Sequence, residues 1–190
     1  CPNSGSMMGL LNKNNKVWVT ESLNLKRKLK YTLQIIEDQN SKVGVNTHLS
    51  NKIVLEALKK NLIKDFTKAV KIKSEQVFGA NTRFDFYLED KNKNSFLEVK
   101  NVTLKRKDDT AEFPDSVTSR GTKHLNELIN AKKKGYDAYL LFLIQREDCN
   151  IFKIAKDLDD EYSKALIKAI KHKVKILCYD CKFSSKGIIL

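Results

Sequence analysis

The chain has 190 residues, of which 36 are lysine or arginine and 23 are aspartate or glutamate, giving a formal net charge of +13. This length supports one good core, or one full domain plus a smaller module, and excludes a mini-protein. The positive charge concentrates polyanions near the protein and makes nucleic acid the first candidate partner, with a solvated lysine-rich surface as the alternative.

No stretch approaches the roughly 20 apolar residues of a bilayer span, and no secretory signal is present, so we expect a cytoplasmic protein without a membrane partner. The start at Cys1, without methionine, suggests a segment of a longer product. The four cysteines lack the spacing of a disulfide framework, which favours reduced thiols. Cys178 and Cys181 form a single CxxC pair, which favours a strand end over a zinc site because a second ligand pair is missing.

Residues 1–48 are predicted to form a β module. Its strands are expected at 16–20, 28–37 and 42–46, where β-branched and aromatic residues are separated by Asn, Asp, Ser and Lys turns. Three strands are too few to close a barrel, so the module is either partial or completed by residues ahead of Cys1.

Residues 49–190 are predicted to form a second domain with the element order α, β, β, β, α, β, α, β. Ser50 or Asn51 is expected to cap its first helix. The apolar stripe of that helix comprises Ile53, Leu55, Leu58, Leu62 and Phe66. The strands are expected at 68–78, 83–88, 95–104, 136–145 and 174–183, and the later helices within 114–135 and 157–173. The strand at 136–145 is apolar without alternation, which predicts burial on both faces.

The strands at 83–88 and 95–104 flank the polar turn EDKNKN and are predicted to form a hairpin. A turn centred between Asn92 and Lys93 pairs positions that sum to 184 or 185, within about one or two residues. Alternation predicts one face with Phe84, Phe86, Leu88, Leu97 and Val99, and the opposite face with Arg83, Asp85, Tyr87, Phe96, Glu98 and Lys100.

Two carboxylates, Asp85 and Glu98, therefore share one face of the hairpin, where like charges are destabilising. Mg²⁺, or Mn²⁺, would neutralise them, since Mg²⁺ takes hard oxygen ligands from one or two carboxylates, water and phosphate. Lys100 projects to the same face, where it can orient or help deprotonate an attacking water, or counter charge on a phosphate. The alternative is an exposed hairpin face with a salt bridge between Lys100 and either acid.

Asp85 is followed after twelve residues by Glu98, Val99 and Lys100, on the second and third strands after a helix. This placement resembles the core of the PD-(D/E)xK, or restriction-endonuclease-like, superfamily. The first motif here is RFD, which keeps the acid and not the proline.

Six blocks in order resemble the sugar fermentation stimulation protein family, SfsA. They are CPNSGSM (1–7), GVNT (44–47), RFDFYLED (83–90), LEVKNVTL (97–104), FPDSVTSRGTKHLNEL (113–128) and LLFLIQRED (140–148). The resemblance implies an α/β (α+β) fold, with a partial OB-fold-like module followed by a PD-(D/E)xK nuclease-like αβββαβ domain. It also implies DNA binding and a link to the regulation of sugar, notably maltose, metabolism. Family members normally carry further β residues ahead of the first block.

Five further positions are candidates near the centre. Glu56 on the first helix is expected to add a metal ligand, with an acid edging the apolar stripe as the alternative. Arg120 and His124 share a helix face and, with Thr118 and Lys123, are expected to hold a phosphate, unless they form a merely basic surface.

Four more positions are nucleic-acid candidates. Gln145 ends the buried strand and is expected at the rim of the site. Arg83 precedes the first acid of the motif and is predicted to contact nucleic acid. Trp18, like Tyr31, is expected to stack on bases, unless it belongs to the core.

The leading hypothesis is a DNA-binding protein that contacts phosphates largely without sequence preference, so that binding weakens as salt rises. The second is a Mg²⁺-dependent nuclease that uses Asp85 and Glu98 as ligands and Lys100 beside the attacking water. The third is a structural or sugar-responsive adaptor without nucleic-acid contact. Formation of a homodimer is left open.

Overall fold

The computed structural model describes residues 5–79, 82–184 and 187–190. Its first part is an antiparallel sheet of three strands in the order β1 (Val17–Glu21), β2 (Tyr31–Asp38), β3 (Ser41–Gly44). These strands confirm the predicted ones, with bounds that differ by a few residues. A small apolar cluster closes one side of this sheet and comprises Met7, Leu10, Ile36, Val43 and Val45.

The first helix, α1 (Thr47–Lys59), begins earlier than predicted. Asn46 is its N-cap, because the Asn46 side chain accepts a hydrogen bond from the backbone N–H of His48 at 3.1 Å. The prediction of Ser50 or Asn51 as the cap was wrong. Both residues lie within the helix, and their side chains bond to other strands of the domain instead.

A sheet of five strands forms the centre of the second domain, in the order β11-β9-β6-β5-β4. β6, β9 and β11 run parallel, whereas β4 and β5 are antiparallel additions at one edge. The strands are β4 (Ala69–Phe78), β5 (Thr82–Asp90), β6 (Ser95–Val102), β9 (Asp137–Ile144) and β11 (Lys175–Asp180). All five were predicted.

Helices cover both faces of this sheet. α2 (Ser119–Lys133) and α3 (Asp160–Lys171) pack on one face, and α1 packs on the other. Side chains of β9 alternate between the two layers: Leu140 and Phe142 join the α2 side, and Leu141 and Leu143 join the α1 side. The non-alternating apolar run therefore belongs to a strand buried on both faces, as predicted. None of the helices in the described part of the chain has the length and apolar character that a membrane span requires.

Several short elements were not predicted. The predicted strand at 95–104 is divided, since β6 ends at Val102 and β7 (Leu104–Lys107) starts a second sheet. That sheet has the order β10-β8-β7. The other unpredicted elements are a 3-10 turn (Lys64–Phe66), β8 (Thr110–Phe113), β10 (Ile151–Ile154) and the hairpin of β12 (Lys182–Ser184) with β13 (Gly187–Ile189). These pieces are too short for periodicity to be recognised in the sequence.

The CxxC pair lies at the end of β11, as the strand interpretation predicted. Cys178 is exposed and Cys181 is buried, and neither is in a disulfide. Burial raises the pKa of the Cys181 thiol to about 12.

The β module is fixed to the second domain through Arg146, which is 1% exposed. Its guanidinium donates to Asp38 of β2 at 2.9 Å and to Asp148 at 2.8 Å. Burial opposes ionisation of Asp148, but hydrogen bonds from Arg146 and Lys105 hold its pKa well below the usual value. The backbone N–H of Gly44 also donates to the carbonyl of Gln145 at 2.9 Å, so strand-like pairing and a buried ion pair together set the position of the module.

Candidate metal centre

The hairpin of β5 and β6 forms close to its predicted register. Phe86 lies opposite Leu97, Tyr87 opposite Phe96 and Leu88 opposite Ser95. These pairs sum to 183 (86 + 97), one residue from the predicted 184 and within the stated margin. The turn EDKNKN therefore joins the strands as its composition indicated.

The alternation of β5 breaks at Asp85. Phe84 packs with Phe96 in the α2-side core, whereas Phe86 packs in the α1-side core, so the prediction that Phe84 and Phe86 share a face was wrong. The physical reason is that pairing with β6 stops at Phe86, and the Asp85 Oδ2 accepts the backbone N–H of Val99 at 2.7 Å instead. The strands separate there, which leaves the Asp85 carboxylate at the opening between them.

Glu98 is 3% exposed and lies at the centre of a polar network. Its Oε1 accepts a hydrogen bond from Lys100 Nζ at 2.7 Å and contacts Nδ1 of the His124 ring. Burial would raise the pKa of Glu98, but the charge of Lys100 and the bond to His124 hold it below the usual value. The other oxygen, Oε2, is buried and has no hydrogen-bond partner among the described residues.

Of the two carboxyl groups, Asp85 is the one whose pKa is raised. Its Oδ1 accepts from Asn51 Nδ2 at 2.7 Å. Burial and the like charge of Glu98 raise the pKa of Asp85 to about 6, although the donors Val99 and Asn51 lower it in part. The two carboxylates therefore interact, as their placement on one face predicted.

A cavity of about 410 Å³ opens over these side chains. Asp85, Glu98 and Lys100 all line it, so the three predicted residues are brought together. A second cavity of about 480 Å³ adjoins it, and the two share Glu75, Asp85 and Arg120.

The donor set is one that a hard divalent cation can use. An ionised buried carboxylate with an unpaired oxygen lies beside a second carboxylate, and Mg²⁺ typically takes one or two carboxylates and completes its shell with water and phosphate oxygens. Within residues 5–79, 82–184 and 187–190, no three His, Cys, Asp or Glu side chains are grouped to hold a metal. The arrangement therefore suits an open site with few protein ligands better than a closed one.

Glu56 does not reach the cavity, contrary to prediction. Its carboxylate is half-exposed and pairs with Lys60, four residues further along α1, at 2.5 Å. Asn51 of the same helix approaches Asp85 instead. Five residues of α-helix turn through roughly 500°, so Glu56 points about 140° away from Asn51 around the helix axis.

His124 and Gln145 are both buried. The His124 ring contacts Glu98 and also lines the second cavity with Arg120 and Lys123, so its contact with a phosphate stays a prediction. Gln145 is fully buried, and its Nε2 donates to Ser50 Oγ at 3.1 Å and Asn101 Oδ1 at 2.6 Å. It lies behind the wall of the cavity and not at its rim, because β9 is covered on both faces.

The basic candidates do lie on the surface. Arg83, Arg120 and Lys123 are exposed and line the second cavity, where Arg83 forms an ion pair with Glu75 at 3.8 Å. Thr118 caps α2 by accepting the N–H of Gly121, which fixes the start of the helix that carries Arg120.

Trp18 is half-buried on β1, outside the apolar cluster of the module. Lys16 and Lys42 place their ammonium groups 5.1 and 5.7 Å from the centre of its ring. Tyr31 is exposed, with Lys30 at 5.8 Å. Both aromatic rings are therefore accessible and have cationic neighbours.

Sequence reasoning missed several residues that line the first cavity. Asn101 directly follows Lys100, and Ser50 and Asn51 had been interpreted only as caps. Gly5 and Asp115 also line this cavity, and both fall in blocks that carried the family resemblance. The position of these residues inside those blocks was the signal in the sequence that could have identified them.

Two family profiles match the sequence of this chain. The family profile described as "Sugar fermentation stimulation protein RE domain" matches residues 48–187, and "SfsA N-terminal OB domain" matches residues 1–45. The chain belongs to the sugar fermentation stimulation protein family. The predicted family is thereby confirmed.

Relatives extend over almost the whole chain. The sugar fermentation stimulation protein homolog of Pelagibacter ubique (strain HTCC1062) is 53% identical over 188 residues, covering 99% of this chain and 81% of the relative. That of Bartonella quintana (strain Toulouse) is 44% identical, covering 98% and 80%. A solved structure described as Pyrococcus furiosus SfsA in complex with Ca²⁺ superposes with a TM-score of 0.89 at 25% identity, covering 99% of this chain and 80% of that one. This likeness confirms the predicted fold class.

Proposed function

We propose that this SfsA-family protein binds DNA, largely without sequence preference, through a basic surface beside the candidate metal centre. The net charge of +13 and the exposed Arg83, Arg120 and Lys123 support this proposal. Contacts of such side chains to phosphates position a protein on DNA but carry no sequence information. Trp18 between two lysines adds a surface on which a base can stack.

Arg120→Ala is expected to weaken DNA binding almost equally for all sequences. Removing one phosphate contact should lower the slope of log affinity against log salt by about 1. Fluorescence anisotropy over a range of salt concentrations measures this slope. Lys171→Ala, a change at an exposed lysine of α3 outside both cavities, is the matched control. An unchanged slope for Arg120→Ala would contradict the contact, and no DNA affinity for the unmodified protein would favour the adaptor hypothesis.

We further propose that the protein hydrolyses phosphodiester bonds with a divalent cation. The observation that carries this second function is the buried, ionised Glu98 with its unpaired Oε2 beside Asp85. Support also comes from the Pyrococcus furiosus relative, which is described in complex with Ca²⁺. Ca²⁺ and Mg²⁺ are both hard cations that bind oxygen ligands.

Asp85 and Glu98 would hold the cation, and when bound it would polarise a phosphate and make a coordinated water more acidic. Lys100 lines the cavity, donates a hydrogen bond to Glu98 and lies 3.5 Å from Nδ1 of His124, and its remaining N–H donors would be available to a phosphate oxygen. Those donors stabilise charge that develops on a phosphate. Hydrolysis forms one P–O bond to water and breaks one to the leaving oxygen, with net transfer of a water proton to that oxygen.

The decisive assay incubates the protein with Mg²⁺ or Mn²⁺ and with linear, nicked and single-stranded DNA and RNA. We expect metal-dependent cleavage that falls by about 100-fold in Lys100→Ala, since a lost charge-stabilising donor costs about that factor. Lys171→Ala should cleave like the unmodified protein, and thermal unfolding checks that each variant is folded. Cleavage that persists unchanged in Lys100→Ala would exclude this centre as its source, while DNA binding would stand separately.

The link to sugar metabolism stays a prediction. It rests on the family, whose members carry names that refer to sugar fermentation. Formation of a homodimer likewise stays a prediction, and sedimentation of the purified chain would check it.

A further inference from the structure

We propose that His124 is a positioning residue of the candidate metal centre: its Nδ1–H, together with Lys100, occupies Oε1 of Glu98, so that Oε2 alone binds the cation and Mg²⁺ is favoured over Ca²⁺. The inference rests on the proposed hydrolysis with a divalent cation and concerns the cation selectivity of that same site. It is separate from the predicted contact of His124 with a phosphate, because it assigns a partner to Nδ1 alone.

The two carboxylates of the centre are held in different ways. At Asp85 each oxygen accepts one hydrogen bond, Oδ1 from a side-chain amide of α1 and Oδ2 from a backbone N–H of β6. At Glu98 both neighbours meet the same oxygen, since Oε1 accepts from Lys100 Nζ at 2.7 Å and contacts Nδ1 of His124. Oε2 of Glu98 is buried and has no hydrogen-bond partner in the described part of the chain. The neighbours of Glu98 therefore distinguish its two oxygens.

The contacts of His124 show which of its ring atoms carries a hydrogen. Glu98 forms an ion pair with Lys100, and an ionised carboxylate only accepts hydrogen bonds. The Lys100 ammonium, 3.5 Å from Nδ1 of His124, only donates them. Nδ1 is therefore the hydrogen donor to Oε1, and this bond fixes the orientation of the ring toward the carboxylate.

The ring of His124 is held by the packing of α2 against the sheet and α3. His124 is 6% exposed, and its ring lies against that of Phe84, with the ring centres 6.4 Å apart. Three residues earlier in α2, Gly121 lies so close to α3 that a Cβ there would approach the Tyr162 ring to 3.0 Å. The contact between His124 and Glu98 thus belongs to a closely packed interior and not to a mobile surface side chain.

A carboxylate with one oxygen available suits a small cation better than a large one. Mg²⁺ requires near-ideal octahedral geometry and keeps several waters. Ca²⁺ takes about six to eight oxygens in a flexible shell and uses carboxylates through one oxygen or both. Because Oε1 of Glu98 already has two neighbours, only Oε2 is offered. Release of Oε1 would add an oxygen that Ca²⁺ can use, while the orientation that Mg²⁺ requires would be lost.

The test measures the affinities of Mg²⁺ and Ca²⁺ for the protein without nucleic acid. Electron paramagnetic resonance of free Mn²⁺ gives the affinity for Mn²⁺, and its displacement gives those for the other two cations. His124→Phe keeps a ring but removes the N–H. We expect it to lower the Mg²⁺ affinity by about 10- to 100-fold, because a group that orients a metal ligand is lost, and to leave the Ca²⁺ affinity nearly unchanged. His124→Asn places an amide N–H close to the position of Nδ1 and should restore the ratio of the two affinities.

His172→Phe is the matched control, because His172 is exposed at the end of α3 and lies outside both cavities. Thermal unfolding checks that each variant is folded. If His124→Phe does not fold, His124→Ala takes its place. Alanine and asparagine are both smaller than histidine, and of these two side chains only asparagine has a hydrogen-bond donor.

Two results would overturn the inference: equal losses of Mg²⁺ and Ca²⁺ affinity in the variants without the N–H, which a purely structural role of His124 predicts, or a ratio that His124→Asn does not restore. Because the cations are titrated without nucleic acid, a lack of cleavage would contradict the proposed hydrolysis only, and the ratio of affinities would still decide the inference. Binding of neither cation would contradict both proposals.

Discussion

Asp85→Asn is expected to lower metal-dependent cleavage by about a thousandfold or more. A lost metal ligand removes several kcal/mol of transition-state stabilisation, and each 1.36 kcal/mol corresponds to about tenfold in rate. The change keeps the size of the side chain, and the amide oxygen can still accept the N–H of Val99. The loss should therefore come from the charge and not from the packing. Initial rates with saturating Mn²⁺ measure it.

The same substitution should make the metal-free protein more stable at neutral pH. Burial and the nearby charge of Glu98 both disfavour ionised Asp85, and a neutral amide avoids both costs. We expect a gain of about 1 to 2 kcal/mol in the free energy of unfolding, less than the full cost of ionising Asp85, because the new amide nitrogen cannot accept the hydrogen bond from Asn51 Nδ2. Urea unfolding without metal measures this gain.

Asp108→Asn is the matched control for both effects. Asp108 is exposed in a turn, so its substitution should change neither cleavage nor stability by a measurable amount. If Asp85→Asn cleaved like the unmodified protein, Asp85 could not be a ligand of the reacting metal. If it lost stability without metal, the repulsion between the two carboxylates would be smaller than their burial indicates.

The stability of the metal-free protein should depend on pH through Asp85. The folded-state pKa of about 6 lies above the ordinary value of 3.8, so between these values the folded state holds a proton that the unfolded state has released. Stability therefore falls as pH rises from about 4 to 6 and then levels off. At 1.36 kcal/mol per pKa unit, the loss attributable to Asp85 is about 3 kcal/mol.

Other groups titrate in the same range, so the comparison with Asp85→Asn isolates this contribution. The hydrogen bonds and charges around Glu98 lower its pKa, so it contributes stability above its ordinary value of 4.5 that is lost at lower pH. Urea unfolding of both proteins at a series of pH values gives the difference directly. A difference that stays constant from pH 4 to 7 would show that Asp85 titrates normally.

A divalent cation should reverse the effect of pH. Metal binding requires ionised Asp85, so the rise in melting temperature caused by Mn²⁺ should increase as pH passes through about 6. The centre thus has the character of a functional site that is destabilising until its ligand binds. Stabilisation by Mn²⁺ that is the same at pH 5 and pH 8 would argue for a site elsewhere.

The sequence alone determined the central hairpin and its three polar residues. The prediction used only local properties of the sequence: the alternation of apolar residues, the turn EDKNKN and the matching of apolar faces. These properties placed Asp85 and Glu98 side by side, with a register that differs from the observed one by one residue. The double-sided burial of β9 was evident for the same reason, since a strand covered on both faces has no polar side to alternate with.

Only the tertiary structure decided which other side chains reach the centre. Asn51 and not Glu56 meets Asp85, because the angle at which α1 packs on the sheet selects one face of the helix. The His124 ring contacts Glu98, and the Asp115 carboxylate accepts the backbone N–H of Ser6. Both contacts join residues far apart in the chain. Local periodicity in the sequence shows which side chains share one face of a helix or strand. It does not show which other element packs against that face, because that contact joins residues far apart in the chain.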